Sequence, residues 1–492
     1  VLDQMRPDYI DIYDLPNLKK LREESLHFKN ANVGHFSANT IMSHPVIGTG
    51  LFPKHYGWSD EIFFDEKGEV GPTGAWYISS SLNLEQYRKL FRKRLSQPTG
   101  IALIKKMLGG EAISIGQKDY AALTMGGLDA DRVITLSPKI KAGEWTGWRR
   151  PEGLNVPSYI SRTEGSRFYL DCRNDYQTKE TLYALDGNRY VPGDDPEHQG
   201  GDIWTTDVAL TVMQKNRKWR LLMITMGGID KLGHIYGEMD NPRQQKIASK
   251  VPYNFEKMLK VADTQVGRLI AELKSRGLWD KTFLIVTADH GGVSAAKHFY
   301  GGKKKTTGHD NAYYGSFAGE KPFKSSKNAK RWLPGHAERA VLATANRIWL
   351  TDTAKKDLPA ECRYFAKMPG AVAVYNKEKA ANDWQYRLCS PYRGPDLPKF
   401  LDPVTLLDTA AMSQSPDLVV QLADDSGYAL MGDHGGFQEK SMRIPMIIHA
   451  PEIAAGPNDC PIRLIDLMPL VMQQVGVPAP AWLDGNARCL PH

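Results

Sequence analysis

The sequence has no apolar run near the roughly 18 residues that a membrane-spanning helix needs, so no span is expected. It has no long Lys/Arg run and no basic–aromatic repeat, so a specific nucleic-acid partner is not expected. No internal repeat is visible. Cysteine is scarce, at five in 492 residues, and none sits in a CxxC pair, which argues against a zinc–thiolate site. Charge of one sign is not dominant either: 63 basic against 56 acidic residues leave +7. That balance fits an anionic substrate, and it fits simple solubility equally well. The chain opens on Val1-Leu2-Asp3 with no initiator Met and no charged-then-apolar stretch, so a leader is expected to have been removed from the natural start.

What is present is ordinary for a globular protein, with 41% hydrophobic and 24% charged residues. The length suits one large α/β domain with insertions, or two to three domains. Leu221–Met226 and Phe283–Thr287 are short apolar runs suited to buried strands. Between them Phe255, Met258, Leu259, Ala262, Val266, Leu269, Ile270 and Leu273 recur at three- and four-residue steps, the apolar face of a long helix that Gly277 is placed to end. Strand, helix and strand in that order predict a parallel sheet covered on both faces. Ala112–Ile115 and Met446–Ile448 read as further strands. Residues 139–205, rich in Trp, Tyr, Gly, Arg and Asp, read as an irregular insertion, and 293–403 as an inserted subdomain. The core is then expected in three pieces, 1–138, 206–292 and 404–492. Cys362 with Cys389, and Cys460 with Cys489, read as two disulfides with Cys172 left over. The alternative is five buried thiols in a reducing compartment. The disulfide reading favours a periplasmic or secreted location.

Acidic and histidine residues follow the strands. Asp3 follows the first, Asp230 and His234 follow Leu221–Met226, Asp289 and His290 follow Phe283–Thr287, and His434 lies in Gly432-Asp433-His434-Gly435-Gly436. Ligand sites in open α/β sheets lie beyond the carboxyl ends of the strands, so these residues are expected to converge. Three carboxylates and three imidazoles suit two ions of zinc or another divalent transition metal. Two such ions about 4 Å apart clamp the attacking and leaving oxygens of a phosphoryl transfer. The glycines would let the backbone pass close to the ions. Any single Asp–His pair is equally a capped turn with a surface histidine. A metal pair also needs a nucleophile, and Thr40 in Asn39–Pro45 is a candidate at a helix start. Spacing alone does not separate it from Ser37, Ser43 or Thr49, or from a plain N-cap role.

These residues resemble the alkaline phosphatase superfamily, and within it the type I phosphodiesterase/nucleotide pyrophosphatases and the bacterial alkaline phosphatases with a Thr nucleophile. The resemblance rests on Asp3-Gln4-Met5-Arg6-Pro7-Asp8, on Thr40 with His44, Thr49 and Gly50, and on Asp230 to His234. It continues through Asp289-His290-Gly291, Gly432–Gly435 and the closing Leu464–Pro469. It implies a central, mostly parallel sheet with helices on both faces and inserted segments. It implies two zinc ions, one held by Asp230, His234 and His434 and the other by Asp3, Thr40, Asp289 and His290. It implies that Thr40 attacks phosphorus to give a phosphothreonine, which metal-activated water releases, and that the partner is a small anionic phosphate ester.

Two departures bear on the substrate. Relatives carry an Asn about twenty residues beyond the nucleophile, where this chain has Asp60 or Glu61. They carry Lys-Asp-Arg where this chain has Lys118-Asp119-Tyr120. Lys118, Tyr120 and Glu61 are therefore the candidate substrate-binding residues. The implied activity is a phosphomonoesterase, with a phosphodiesterase/nucleotide pyrophosphatase as the alternative and a metal-binding module without catalysis as the remaining reading. Sulfatases of the superfamily need a Cys/Ser-x-Pro-x-Arg motif, and Thr40–His44 lacks it. Trp145, Trp148, Arg149 and Arg150 are an aromatic–cationic cluster that either meets a leaving group or is a plain loop, and Lys303–Lys305 reads as a solvated charge run.

Overall fold

A computed structural model describes residues 1–57, 59–79, 82, 84–95, 97–116, 118–135, 140–141, 144–145, 201–230, 233, 254–294, 298–299, 335–344, 346–381, 383–424, 426–427 and 432–490. The strands used below are β1 (Leu26–Phe28), β2 (Glu111–Gly116), β3 (Arg132–Thr135), β4 (Trp219–Thr225), β5 (Leu284–Thr287), β6 (Ala340–Thr344), β7 (Arg347–Leu350), β8 (Ala371–Ala380), β9 (Asp383–Leu388), β10 (Leu418–Leu422), β11 (Met446–His449) and β12 (Gly456–Asn458). The helices are α1 (Thr40–Thr49), α2 (Gly100–Leu108), α3 (Asp119–Gly126), α4 (Gly201–Lys215), α5 (Asn254–Ser275), α6 (Leu358–Phe365) and α7 (Leu467–Gln474).

Strands β3, β2 and β4 pair in parallel, as their apolar runs predict. Residues 1–3 then join β4 to β5: Asp3 N donates to Met226 O at 2.9 Å and Leu2 N donates to Thr287 O at 2.8 Å. Beyond β5 the order is β11, β1, β12. Strand β11 runs antiparallel to both of its neighbours, a direction its Met-Ile-Ile run leaves unspecified. Successive side chains of β2 point to opposite faces of the sheet. Ile113 and Ile115 pack with Val208 and Val212 of α4, and Ala112 packs with Ile101, Met468 and Met472 of α2 and α7. Both faces are therefore covered by helices, which suits the apolar residues in the middle of these strands. Helix α5 buries Phe255, Met258, Leu259, Ala262, Val266 and Leu273, the stripe read from the sequence.

A second sheet is antiparallel throughout, in the order β6-β7-β10-β8-β9. It spans Ala340 to Leu422 and has its own core around Ile348, Phe365, Val374 and Val420. We propose that the core is built from 1–138, 206–292 and 404–492, with insertions at 139–205 and 293–403. Cys362 of α6 is bonded to Cys389 just after β9, and Cys460 is bonded to Cys489 near the end of the chain. Cys172 lies outside the described residues. Replacing Cys362 and Cys389 together by Ser is expected to lower the stability of the second sheet by about 3–4 kcal/mol, from the entropy released to the unfolded loop. Urea unfolding followed by Trp349 fluorescence checks this, and an unchanged midpoint would mean that the bond is dispensable.

Candidate active site

Helix α1 begins at Thr40 because Asn39 is extended (φ −143°) and its Oδ1 accepts the Met42 N–H at 3.0 Å. Gly50, at φ +70°, ends the helix. Within it, a Cβ on Gly48 would come 2.1 Å from the Met125 carbonyl, so α1 lies backbone to backbone on α3. That contact sets how far the Thr40 end reaches. His44, fully buried, ties Thr40 to the sheet through its Nδ1 to Thr40 O and its Nε2 to Thr225 Oγ1 at the end of β4, both 2.9 Å.

The carboxyl ends of four neighbouring segments meet Thr40. Its Oγ1 donates to Asp3 Oδ1 at 3.3 Å and lies 3.3 Å from His290 Nε2. Lys118, just after β2, donates to Thr40 Oγ1 at 3.2 Å and pairs with Asp3 Oδ2 at 2.5 Å and Asp230 Oδ2 at 2.6 Å. His434 Nε2 lies 3.2 Å from Asp230 Oδ1, its Nδ1 lies 3.1 Å from Ala38 O, and its ring stacks on His290 at 3.8 Å. The Val293–Ser294 and Gly432–Asp433 pairing sets this His434 loop beside the loop after β5. Asp289 Oδ1 accepts from Gln4 N at 3.2 Å and from His290 N at 3.0 Å.

Asp3, Thr40, Lys118, Asp230, Asp289 and His290 are all buried, and the charges are strongly felt. Burial, with Asp230 and Asp289 beside it, pushes the Asp3 carboxyl well above the usual range. Burial also pushes Asp289 up, but His290, His44 and Lys118 outweigh it and hold Asp289 below its ordinary value. Burial lowers His290 to about 3 and His44 to about 4. Lys118 stays charged: burial lowers it, and Asp230 and Asp3 raise it well above its ordinary value.

Six of the residues read from the sequence thus meet: Asp3, Thr40, Asp230, Asp289, His290 and His434. Lys118 stands among them. His234 lies outside the described residues, as do Trp148, Arg149, Arg150 and Lys303–Lys305. Tyr120 is half-buried on α3, against the main core. Of the two carboxylates near residue 60, Asp60 is buried and pairs with Arg347, while Glu61 is half-buried and its carbonyl accepts from Ser79 N at 2.7 Å. Of the other hydroxyls of the Thr40 segment, Thr49 donates to Pro45 O at 2.6 Å at the far end of α1 and Ser37 bonds Gly435 O at 3.3 Å, while Ser43 Oγ is buried and makes no hydrogen bond. A Cβ on Gly291 would come 2.0 Å from Lys440 O, so this glycine serves loop-on-loop packing. Sequence reasoning missed Arg347, whose signal was a charged residue opening the otherwise apolar Arg-Ile-Trp-Leu strand.

A family model described as type I phosphodiesterase/nucleotide pyrophosphatase matches residues 1–442. The chain belongs to this family. Its fold is similar to that of the alkaline phosphatase PafA, with a TM-score of 0.65 at 13% identity, covering 99% of this chain and 96% of that one. It is also similar to human ectonucleotide pyrophosphatase/phosphodiesterase 5, with a TM-score of 0.52 at 14% identity and full coverage of both chains. These likenesses give the chain the alkaline phosphatase-like α/β fold of those two proteins, with helices on both faces of the sheet. As a member of the type I phosphodiesterase/nucleotide pyrophosphatase family, the chain is a phosphoric ester hydrolase. Its donors fit metal ions. Asp230, His290 and His434 form one group, and Asp3, Asp289 and His290 another, each with ligand atoms within 4.8 Å of one another. Asp289 Oδ2 is buried and makes no hydrogen bond, and beside it Lys118 pairs with two further buried carboxylates, Asp3 and Asp230. Neutral imidazoles and carboxylates are the donors zinc takes.

Proposed function

We propose that this hydrolase is an alkaline phosphatase-type phosphomonoesterase that works through Thr40. The observation that carries the reading is the Lys118 ammonium, buried and 3.2 Å from Thr40 Oγ1. A cation so close to the attacking oxygen suits a phosphoryl group with two negative charges better than one with a single charge. Asp3, Asp289 and His290, with Thr40, would hold one zinc or similar ion, and Asp230 and His434, with His234, the other. When bound, these ions supply Lewis acidity toward phosphoryl oxygens and lower the pKa of a coordinated hydroxyl.

The chain's own groups do the rest. The first turn of α1 points backbone N–H groups at an incoming anion. Asp3 accepts the hydrogen bond of the Thr40 hydroxyl and fixes its direction. Thr40 Oγ1 gives up its proton along the hydrogen bond to Asp3 and forms the new bond to phosphorus, the bond to the leaving oxygen breaks, and that oxygen takes a proton from solvent water. Water then cleaves the phosphothreonine and releases phosphate. Tyr120, in place of a second cation, favours diesters, as does the family description, so the diester reading is kept beside this one.

The two readings separate on p-nitrophenyl phosphate against bis-p-nitrophenyl phosphate. A phosphomonoesterase should show the higher kcat/KM on the monoester. Lys118→Met should then cost the monoester about 100-fold and the diester about 10-fold or less, since the dianion loses more from a missing charge. Equal losses, or a diester preference in the parent enzyme, would defeat the monoesterase reading. We place the protein in the periplasm or outside the cell, because two disulfides persist only where thiols are oxidised. Among the described residues no helix is long and apolar enough to cross a membrane.

A further inference from the structure

Arg347 opens β7 in the second sheet, yet its side chain is only 4% exposed and reaches out of that sheet into the loops of the active site. Its Nε faces Asp60 in an ion pair buried on both sides. Nη1 donates to Asn346 Oδ1 at 2.7 Å. Nη2 donates to Ser37 Oγ and, at 3.0 Å, to Gly435 O. The guanidinium also lies 5.1 Å over the Phe36 ring, which stacks on Phe437 at 5.1 Å.

Two of these acceptors, Ser37 and Gly435, lie close in sequence to residues of the site. Ser37 Oγ accepts from Asn39 Nδ2 at 3.0 Å, and Asn39 is the cap that starts α1 at Thr40. Gly435 follows His434, and His434 in turn lies against Ala38 O. The planar fork of one guanidinium therefore joins the 36–39 loop to the 434–437 loop, and Asp60 balances its charge. An Arg does this where a Lys cannot, because its donors leave in fixed, divergent directions.

We propose that Arg347 is a positioning residue for catalysis, a strut from the second sheet that sets the Thr40 loop and the His434 loop against each other. Its donors are directed to protein acceptors on three segments, so it acts through Thr40 and His434 and not by touching substrate. It also accounts for the carboxylate at residue 60: Asp60 is a partner of Arg347 and not a repulsive group facing the substrate. A shift of about 1 Å in reacting groups lowers turnover by about 100-fold, which sets the scale of the effect. The inference rests on the reading of Thr40 as the nucleophile.

The test is Arg347→Lys, which keeps the charge beside Asp60 and removes the fork, assayed with p-nitrophenyl phosphate at saturating zinc. The expected result is kcat lowered by about 10- to 100-fold, KM within about threefold of the parent, and a melting temperature close to the parent's. Ser37→Ala, a smaller change that removes one acceptor, should lower kcat by about 3- to 10-fold with KM unchanged, and it keeps the test alive if Arg347→Lys does not fold. A parent-like kcat in Ser37→Ala, or in a folded Arg347→Lys, would overturn the strut. So would a raised KM with kcat intact, because Arg347 would then be binding substrate. Turnover surviving in Thr40→Ala would instead sink the nucleophile assignment, and it would leave the Arg347→Lys ratio to the parent readable.

Discussion

Thr40→Ala is expected to lower kcat on p-nitrophenyl phosphate by at least about a thousandfold, with zinc saturating and the fold intact. The fold argument is local. Asn39, not Thr40, supplies the cap to Met42 N, and Thr40 uses its hydroxyl only toward Asp3 and His290 and as the acceptor for Lys118. Ala is also the best helix former, so α1 should start where it does now. What is lost is the one hydroxyl that lies among the carboxylates, the imidazole and the ammonium. Thr40→Ser should recover much of the rate, since the oxygen returns and only the methyl group is missing. Rapid quenching of the parent with radiolabelled monoester should trap label on the chain, and Thr40→Ala should trap none. Label on the Ala variant, or turnover within tenfold of the parent, would remove Thr40 from the chemistry.

The second large effect is expected at Asp289. Its carboxylate is fully buried, and both His44 and His290 approach Oδ2, at 3.6 and 3.5 Å. The neighbouring imidazoles and Lys118 hold its pKa down, so it is an anion with one oxygen not yet hydrogen-bonded. Asp289→Asn keeps the shape and the Oδ1 acceptor while removing the charge. Zinc affinity should fall by about 100-fold, with turnover lost at micromolar zinc and partly restored at millimolar zinc. Chelation of the parent should abolish turnover and lower its melting temperature, because a ligand held at a hundred times its Kd stabilises the fold by about 2.7 kcal/mol. The same chelator should move the Asn variant less. A parent enzyme whose rate and melting temperature both ignore chelation would show that these buried acids hold no metal.

Much of this site was legible from residue types and strand ends. Leu221–Met226 and Phe283–Thr287 are continuous apolar runs, and only buried strands of that length carry them, so the acids that follow were forced to one edge of the sheet. The helix between them showed its stripe at the right period. The choice of Thr40 over Ser37, Ser43 and Thr49 was not legible from spacing, because a hydroxyl's role depends on what faces it. Thr49 ends up at the opposite end of α1, and Ser37 is engaged by Arg347. Lys118 was expected beside the phosphoryl group, but its two carboxylate partners come from other strands and leave no periodic trace. Arg347 is 310 residues from Ser37, and nothing local marks where a guanidinium at the head of a strand will reach.

The contacts that build the site are long in another sense. Gln4 reaches Asp289 across 285 residues, His290 reaches Thr40 across 250, and His434 reaches Ala38 across 396. Loops of that span close late, because their entropy must be overcome before any contact is gained. No short stretch of the chain holds either of the two metal groups, since one runs from Asp230 to His434 and the other from Asp3 to His290. Turnover therefore requires the chain from Asp3 to His434 to be folded together, and a chain truncated before His434 is expected to be chemically silent however many strands it has formed.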